Sequence, residues 1–206
     1  MTDIAAQNGG NVSVSETAIL AALGRRSIVL VGMMGVGKSS IGRRLAARLA
    51  VPFVDADAEI EKAAGMSISD IFARHGEADF RSGEARVIAR LLDGAPQVLA
   101  TGGGALMNAG TRAAIKDKGV SIWLNAEFDV LIRRINKRKN ERPMLQTADP
   151  AATLRELLVA REPIYAKADI TIQSREAPHE AIVGEIIAAL AAFLKVSGMP
   201  QNRVGK

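Results

Sequence analysis

The chain has 206 residues, of which 48% are hydrophobic and 24% charged, which fits one globular domain with a tail and excludes wholesale disorder. It contains no cysteine, so disulfides, thiolate-zinc sites and a cysteine nucleophile are excluded, and a reducing compartment, the cytoplasm, is expected. The net charge of +5 is concentrated in residues 133–142, where six cations stand against the single acid Glu141; with aromatics at only 3%, this favours a small anionic ligand over nucleic acid.

Residues 1–25 read as a flexible N-terminal extension, polar and rich in Gly, Asn and Ser, with an apolar stretch at 18–23 able to form a helical turn. Its acids Asp3 and Glu16, and the lack of a basic start, are unlike a signal peptide. Residues 27–31 (SIVLV) form a short, fully apolar, β-branched run, the pattern of a buried strand. A loop at 32–37 leads into a helix at 38–50, with Ile41, Leu45 and Leu49 at helical spacing. A second strand at 51–54 ends at Asp55. Ser67 and Ser69 are candidate caps of a short helix, and 77–92 predicts a longer one with Phe80, Ala85, Ile88 and Leu92 inward. A third strand, 97–100, is stopped by Gly102, Gly103 and Gly104; a helix at 111–118 is closed by Gly119; a fourth strand follows at 120–124. Then come helices at 128–135 and 151–160, a fifth strand at 169–172, and a last helix opened by Pro178 and running to about 196, before a C-terminal tail at 197–206. The apolar run at 186–194 is nine residues long, too short to span a bilayer, which needs about 20. Five short apolar strands alternating with helices predict an α/β domain at 26–196 with a parallel sheet covered on both faces; ligands bind such sheets at the carboxyl ends of the strands.

The turn after the first strand reads Gly32-Met33-Met34-Gly35-Val36-Gly37-Lys38-Ser39 and matches the phosphate-binding loop G-x-x-x-x-G-K-[ST]. Backbone N–H groups from Gly35 to Ser40 would cradle phosphate oxygens at a helix N-terminus, Lys38 would reach the outer phosphates of ATP, and the Ser39 hydroxyl would hold Mg²⁺. After the second strand come Asp55 and Asp57. They read either as acids enriched at a helix N-terminus or as a functional pair, Asp55 orienting Mg²⁺ and Asp57 facing the acceptor hydroxyl. The triple glycine after the third strand reads as a flexible turn or as a place of close backbone approach to a ligand.

Arg81, Arg142 and Arg161 are surface charges when taken singly. Beside a phosphate loop they fit clamps for carboxylate and phosphoryl oxygens. The polar, basic stretch at about 136–147 reads as a mobile lid. His75 and His179 receive no chemical role.

With these motifs in place, the chain resembles the shikimate kinases. The resemblance rests on GMMGVGKSS at 32–40, Asp55-Ala56-Asp57 with Ile60-Glu61, SISDIF at 67–72, GEADFR at 76–81 followed by Glu84, TGGG at 101–104, ERPM at 141–144 and REPIY at 161–165, and covers about residues 26–195. It implies the nucleoside-monophosphate-kinase-like P-loop fold, three layers with a five-stranded parallel sheet in the order 2-3-1-4-5. It implies transfer of the ATP γ-phosphoryl to the 3-hydroxyl of shikimate with Mg²⁺, in the chorismate route to aromatic amino acids, by a cytoplasmic monomer. By the family pattern Asp57, Arg81, Gly103 and Arg161 bind shikimate, Gly102 and Gly104 complete that loop, and Phe72 and Phe80 line the pocket. Arg142 reaches the ATP phosphates from the lid and Arg134 contacts adenine; Lys38, Asp57 and Arg142 form the catalytic set. The extension at 1–25 and the strand end Ser174-Arg175-Glu176 fall outside the pattern.

Three other classes compete. A P-loop kinase for a sugar acid or a nucleoside monophosphate would share Lys38 but is disfavoured by Arg81, the triple glycine and Arg161 together. A guanine-nucleotide switch should carry Asn-Lys-x-Asp, and here residues 136–139 read NKRK. A nucleic-acid module built on the basic segment should bind polynucleotides with a steep salt dependence.

Overall fold

The structure, a computed structural model, describes residues 14–136 and 149–196; the expected lid (its first residue, Asn136, apart) and the tail lie outside the described residues. The five strands β1 (Ser27–Val31), β2 (Phe53–Asp55), β3 (Val98–Ala100), β4 (Gly119–Asn125) and β5 (Ile170–Gln173) make one parallel sheet in the order β2-β3-β1-β4-β5. Central β1 is buried along its whole length, with Val29 registered between Leu99 of β3 and Ser121 of β4. A fully apolar run suits such a strand, because helices cover both of its faces.

The helices among the described residues are α1 (Val14–Leu23), α2 (Lys38–Leu49), α3 (Ala56–Ala64), α4 (Ile68–Leu92), α5 (Ala109–Lys118), α6 (Phe128–Asn136), α7 (Pro150–Tyr165) and α8 (His179–Phe193). α1, α2 and α8 touch one another as one layer; α4 with α5, and α6 with α7, make the other, linked through a 3₁₀ turn at Ala105–Met107. Ile41 and Leu45 of α2 and Ile186 and Leu190 of α8 are buried in a single large core with Leu30, Leu99, Ile122 and Leu124. Each such side chain contributes about 1.5–3 kcal/mol on burial. A second small cluster, Ile60, Ile71 and Phe80 with Phe72 at its edge, joins α3 to α4.

Several expectations are corrected. Residues 14–23 are not a flexible leader: α1 packs on α2 and α8 and buries Ile19 and Leu23, which lie one turn apart. The two helices expected after Ser67 and from Glu77 are both present; they are labelled together as α4 and meet at Gly76, whose non-helical conformation (φ 79°, ψ 175°) is open to a residue without Cβ. Ser67, not Ser69, is the cap, its hydroxyl accepting from Asp70 N at 3.1 Å. Gly119 does close α5, donating its N–H to the Ile115 carbonyl, but in an extended conformation (φ −141°) rather than a left-handed turn, and it also begins β4. α7 continues past residue 160 to Tyr165 with Pro163 inside it. The hydrogen bond that Pro163 forgoes would go to the carbonyl of Val159, whose residue is 76% exposed, so water can satisfy it. Pro178 sits at the cap of α8 rather than in its first turn.

Candidate active site

A cleft of about 750 Å³ opens at the carboxyl edge of the sheet. It takes residues from the turns after β1, β2, β3 and β5 and from α4, α6 and α7, as expected for a parallel sheet.

The turn after β1 delivers Lys38 as the first residue of α2. Its Nζ lies back over the loop and donates to the carbonyls of Gly32 (2.8 Å) and Met33 (3.0 Å). Gly37, the N-cap, has φ 103°, which an ordinary side chain would strain. Ser39 Oγ donates to Asp55 Oδ2 at 2.6 Å, while Asp55 Oδ1 accepts from the backbone N of Asp57 at 3.1 Å and caps α3. Asp55 is therefore a helix cap, one of the two readings considered for it, and it also holds the P-loop serine. Ser39 and Asp55 are paired hard oxygen donors facing the cleft, a donor set that fits Mg²⁺, which takes one or two protein oxygens and completes its shell with phosphate and water.

On the other wall, Arg81 Nη1 donates to Glu84 Oε2 at 2.7 Å, and its Nε and Nη2 each reach Glu77 Oε1 at 3.2 Å. The guanidinium lies 5.0 Å from the centre of the Phe80 ring, and Phe80 meets Phe72 with centroids 4.7 Å apart. Arg161, buried in α7, donates Nη1 to the Gly103 carbonyl at 3.1 Å. The three glycines let the backbone run between these charges. A Cβ on Gly102 would lie 2.6 Å from Glu84 Oε1 and 2.9 Å from Asp57 Oδ1, and one on Gly103 would lie 3.3 Å from Met34 N. At the far end, Arg134 of α6 donates to the carbonyls of Val36 (3.2 Å) and Arg175 (3.0 Å) and to Ser174 Oγ (3.1 Å).

The family model for shikimate kinase matches residues 34–191. The chain belongs to the shikimate kinase family. Two curated members support the assignment over most of their length. The shikimate kinase of Bradyrhizobium diazoefficiens is 66% identical over 179 residues, 87% of this chain and 86% of the relative. That of Nitrobacter winogradskyi is 60% identical over 187 residues, covering 91% and 87%. Among solved structures, the shikimate kinase from Acinetobacter baumannii in complex with shikimate superposes with a TM-score of 0.80 at 35% identity, covering 88% of this chain and 99% of that one. The chain is thus an ATP-dependent kinase of a family that serves aromatic amino-acid biosynthesis, and its sheet order is the one the resemblance implied.

All the sequence-selected site residues of this kinase that lie among the described residues line the one cleft: Gly35, Val36, Gly37, Lys38, Ser39, Ser40, Asp55, Asp57, Phe72, Phe80, Arg81, Gly102, Gly103, Gly104, Arg134 and Arg161. Arg142 lies outside the described residues. The cleft also holds residues that the sequence reading left without a role. Glu84 is buried, its Oε1 has no hydrogen-bond partner among the described residues, and burial raises its pKa against the pull of Arg81. Its position three residues after Arg81, on the same helix face, was the available signal. Ser174, Arg175 and His179 form the rim beside Arg134, at the end of β5, where the strand-end rule also applies. The Asp57 carboxyl is pushed up to about 6, first by burial, then by the negative charge of Asp55, with Lys38 pulling the other way and Glu84 and Glu61 adding to the rise.

Proposed function

We propose that this family member transfers the γ-phosphoryl of ATP to the 3-hydroxyl of shikimate, releasing shikimate 3-phosphate and ADP. The observation that carries the proposal is the convergence of Arg81, Arg161 and Asp57 on a triple-glycine turn that abuts the P-loop backbone.

Arg81 and Arg161 pair with the acceptor carboxylate, whose burial without a partner would be costly. Glu77 and Glu84 hold Arg81 in place, leaving less rotamer freedom to lose when the acceptor binds. Asp57 takes the proton of the acceptor hydroxyl as its oxygen bonds to the γ-phosphorus and the bond to the β-phosphate bridging oxygen breaks. A carboxyl pushed up to about 6 is ionised at neutral pH yet basic enough for this step. Lys38 and the loop N–H groups meet the negative charge of the phosphates, with Arg142 added from the segment after α6. Ser39 and Asp55 would hold Mg²⁺, which when bound would supply neutralisation of the phosphate charge. Arg134 and the Ser174-Arg175 strand end border the adenine. The same reading makes the enzyme a cytoplasmic monomer.

ADP release, coupled to a spectroscopic readout, tests the acceptor. Shikimate should support turnover at least 100-fold above gluconate, quinate and other small hydroxy acids; comparable turnover with a sugar acid would replace shikimate as the substrate.

A further inference from the structure

Tyr165 is the one tyrosine of the chain and is 1% exposed at the end of α7. Its ring stands against Trp123 of β4, with centroids 6.0 Å apart. Its hydroxyl is in the polar part of the molecule. The phenol donates to the Gly103 carbonyl, the same oxygen that receives Arg161 Nη1, and its oxygen lies 3.7 Å from Met33 Sδ of the P-loop. Arg161, one helical turn earlier, also hydrogen-bonds the phenol oxygen. A carbonyl has two lone pairs, so Tyr165 and Arg161 saturate the Gly103 oxygen.

The two reacting loops meet at this point. Met33 belongs to the nucleotide loop, and its carbonyl receives Lys38 Nζ; Gly103 belongs to the acceptor loop. We infer that Tyr165 is a positioning residue which locks the acceptor loop to the P-loop and so sets the alignment of the acceptor hydroxyl with the γ-phosphorus. This rests on the function proposed above. Burial raises the phenol to about 12, so its proton stays in place as the donor throughout the working pH range.

A lock between two loops differs from a binding contact. Without it each ligand still finds its own loop, but the reacting atoms are misaligned, and a misplacement of about 1 Å costs on the order of 100-fold in rate. Tyr165→Phe removes the hydroxyl and keeps the ring against Trp123. Its kcat should fall at least fivefold. The dissociation constants of ADP and of shikimate, each measured alone by calorimetry, should change less than threefold, and the melting temperature should stay within a few degrees. An unchanged kcat, or a loss explained by weaker binding of either ligand alone, overturns the role. If Tyr165→Phe is recovered unfolded, Met33→Leu carries the same test, since it removes the sulfur at nearly constant volume; it should lower kcat at least threefold with the same two affinities kept, and an unchanged kcat there overturns the lock. A parent enzyme without shikimate turnover would overturn the proposed function, and with it this role; a failure in the variants of an active parent overturns this role alone.

Discussion

Gly104 lies directly against the guanidinium of Arg81: a Cβ built on Gly104 would sit 2.5 Å from Cζ, Nη1 and Nη2 at once. The atom in the way is the far end of a flexible side chain, so the fold can yield where the site cannot. Gly104→Ala should therefore fold with a melting temperature close to the parent but push Arg81 off Glu84 and Glu77. We expect the KM for shikimate to rise roughly 10- to 150-fold, the scale of one lost charge-assisted hydrogen bond at about 1.5–3 kcal/mol, and the KM for ATP to move little. Steady-state kinetics with each substrate varied in turn checks this; a matched rise in both values would place the effect in the whole cleft.

Asp57 gives a pH dependence whose sign is fixed. Its folded pKa, about 6, lies above the ordinary value of 3.8, and catalysis needs the deprotonated form. Log kcat should therefore fall with unit slope as pH drops below about 6. Stability runs the other way. The native state binds the proton more tightly than the unfolded chain, so this group's stabilising share is full below about pH 4 and is lost as pH rises through 6. Asp57→Asn should accordingly be more stable than the parent at pH 7, by up to about 3 kcal/mol for a shift of about two units, while losing about 10²–10⁴-fold in kcat. Thermal melts across pH 4–8, paired with the rate profile, test both signs.

The two arginines of the acceptor wall should not tolerate lysine. Arg81 already holds two carboxylates and Arg161 holds the Gly103 carbonyl, and in the proposed function each also serves the substrate. Lysine supplies a point charge without the planar fork. Arg81→Lys and Arg161→Lys should each raise the KM for shikimate roughly 10- to 150-fold. Arg161→Lys should also lower the melting temperature, because Arg161 is only 4% exposed and its partners would be left without their donor. Unchanged shikimate KM values in both variants would place the carboxylate elsewhere.

The parts of this fold legible in the sequence are those governed by local pattern. The run at 27–31 has the pattern of a buried strand, and the P-loop glycines, Asp55 and the triple glycine all stand at strand ends, where a parallel sheet gathers ligands. What escaped is set by distant partners. Nothing near Tyr165 announces Met33, 132 positions earlier, whose sulfur its hydroxyl meets. The α7 helix outran its expected end because solvent exposure at Val159 offsets the cost of Pro163, and exposure is a tertiary property. Gly119 closes α5 as expected, but why it is a glycine is again a tertiary matter, since the same residue type serves a left-handed cap or a tight strand packing. Here a Cβ would lie 2.9 Å from Val29 Cγ2, so the neighbouring strand, not the turn, demands it.

The helix α1 was misjudged for a related reason: its composition is that of a leader, and only the core shows what it covers. Ile19 is fully buried, and Glu16, 4% exposed, accepts from Arg48 Nε of α2 at 2.6 Å. α1 therefore braces the end of α2 opposite Lys38, some 10 residues from the chemistry. Its contribution should appear in stability and not in the site. Ile19→Ala leaves a cavity among well-packed neighbours and should cost about 2–5 kcal/mol, which for a domain of this size lowers the melting temperature by roughly 4–20 °C at about 2–4 °C per kcal/mol. At 20 °C, where the variant is still folded, kcat and both KM values should equal those of the parent. Differential scanning calorimetry with matched kinetics decides the matter. A melting temperature within about 2 °C of the parent would mean that α1 is not docked in solution, and a changed KM for ATP in the folded variant would mean that the brace reaches the P-loop through α2.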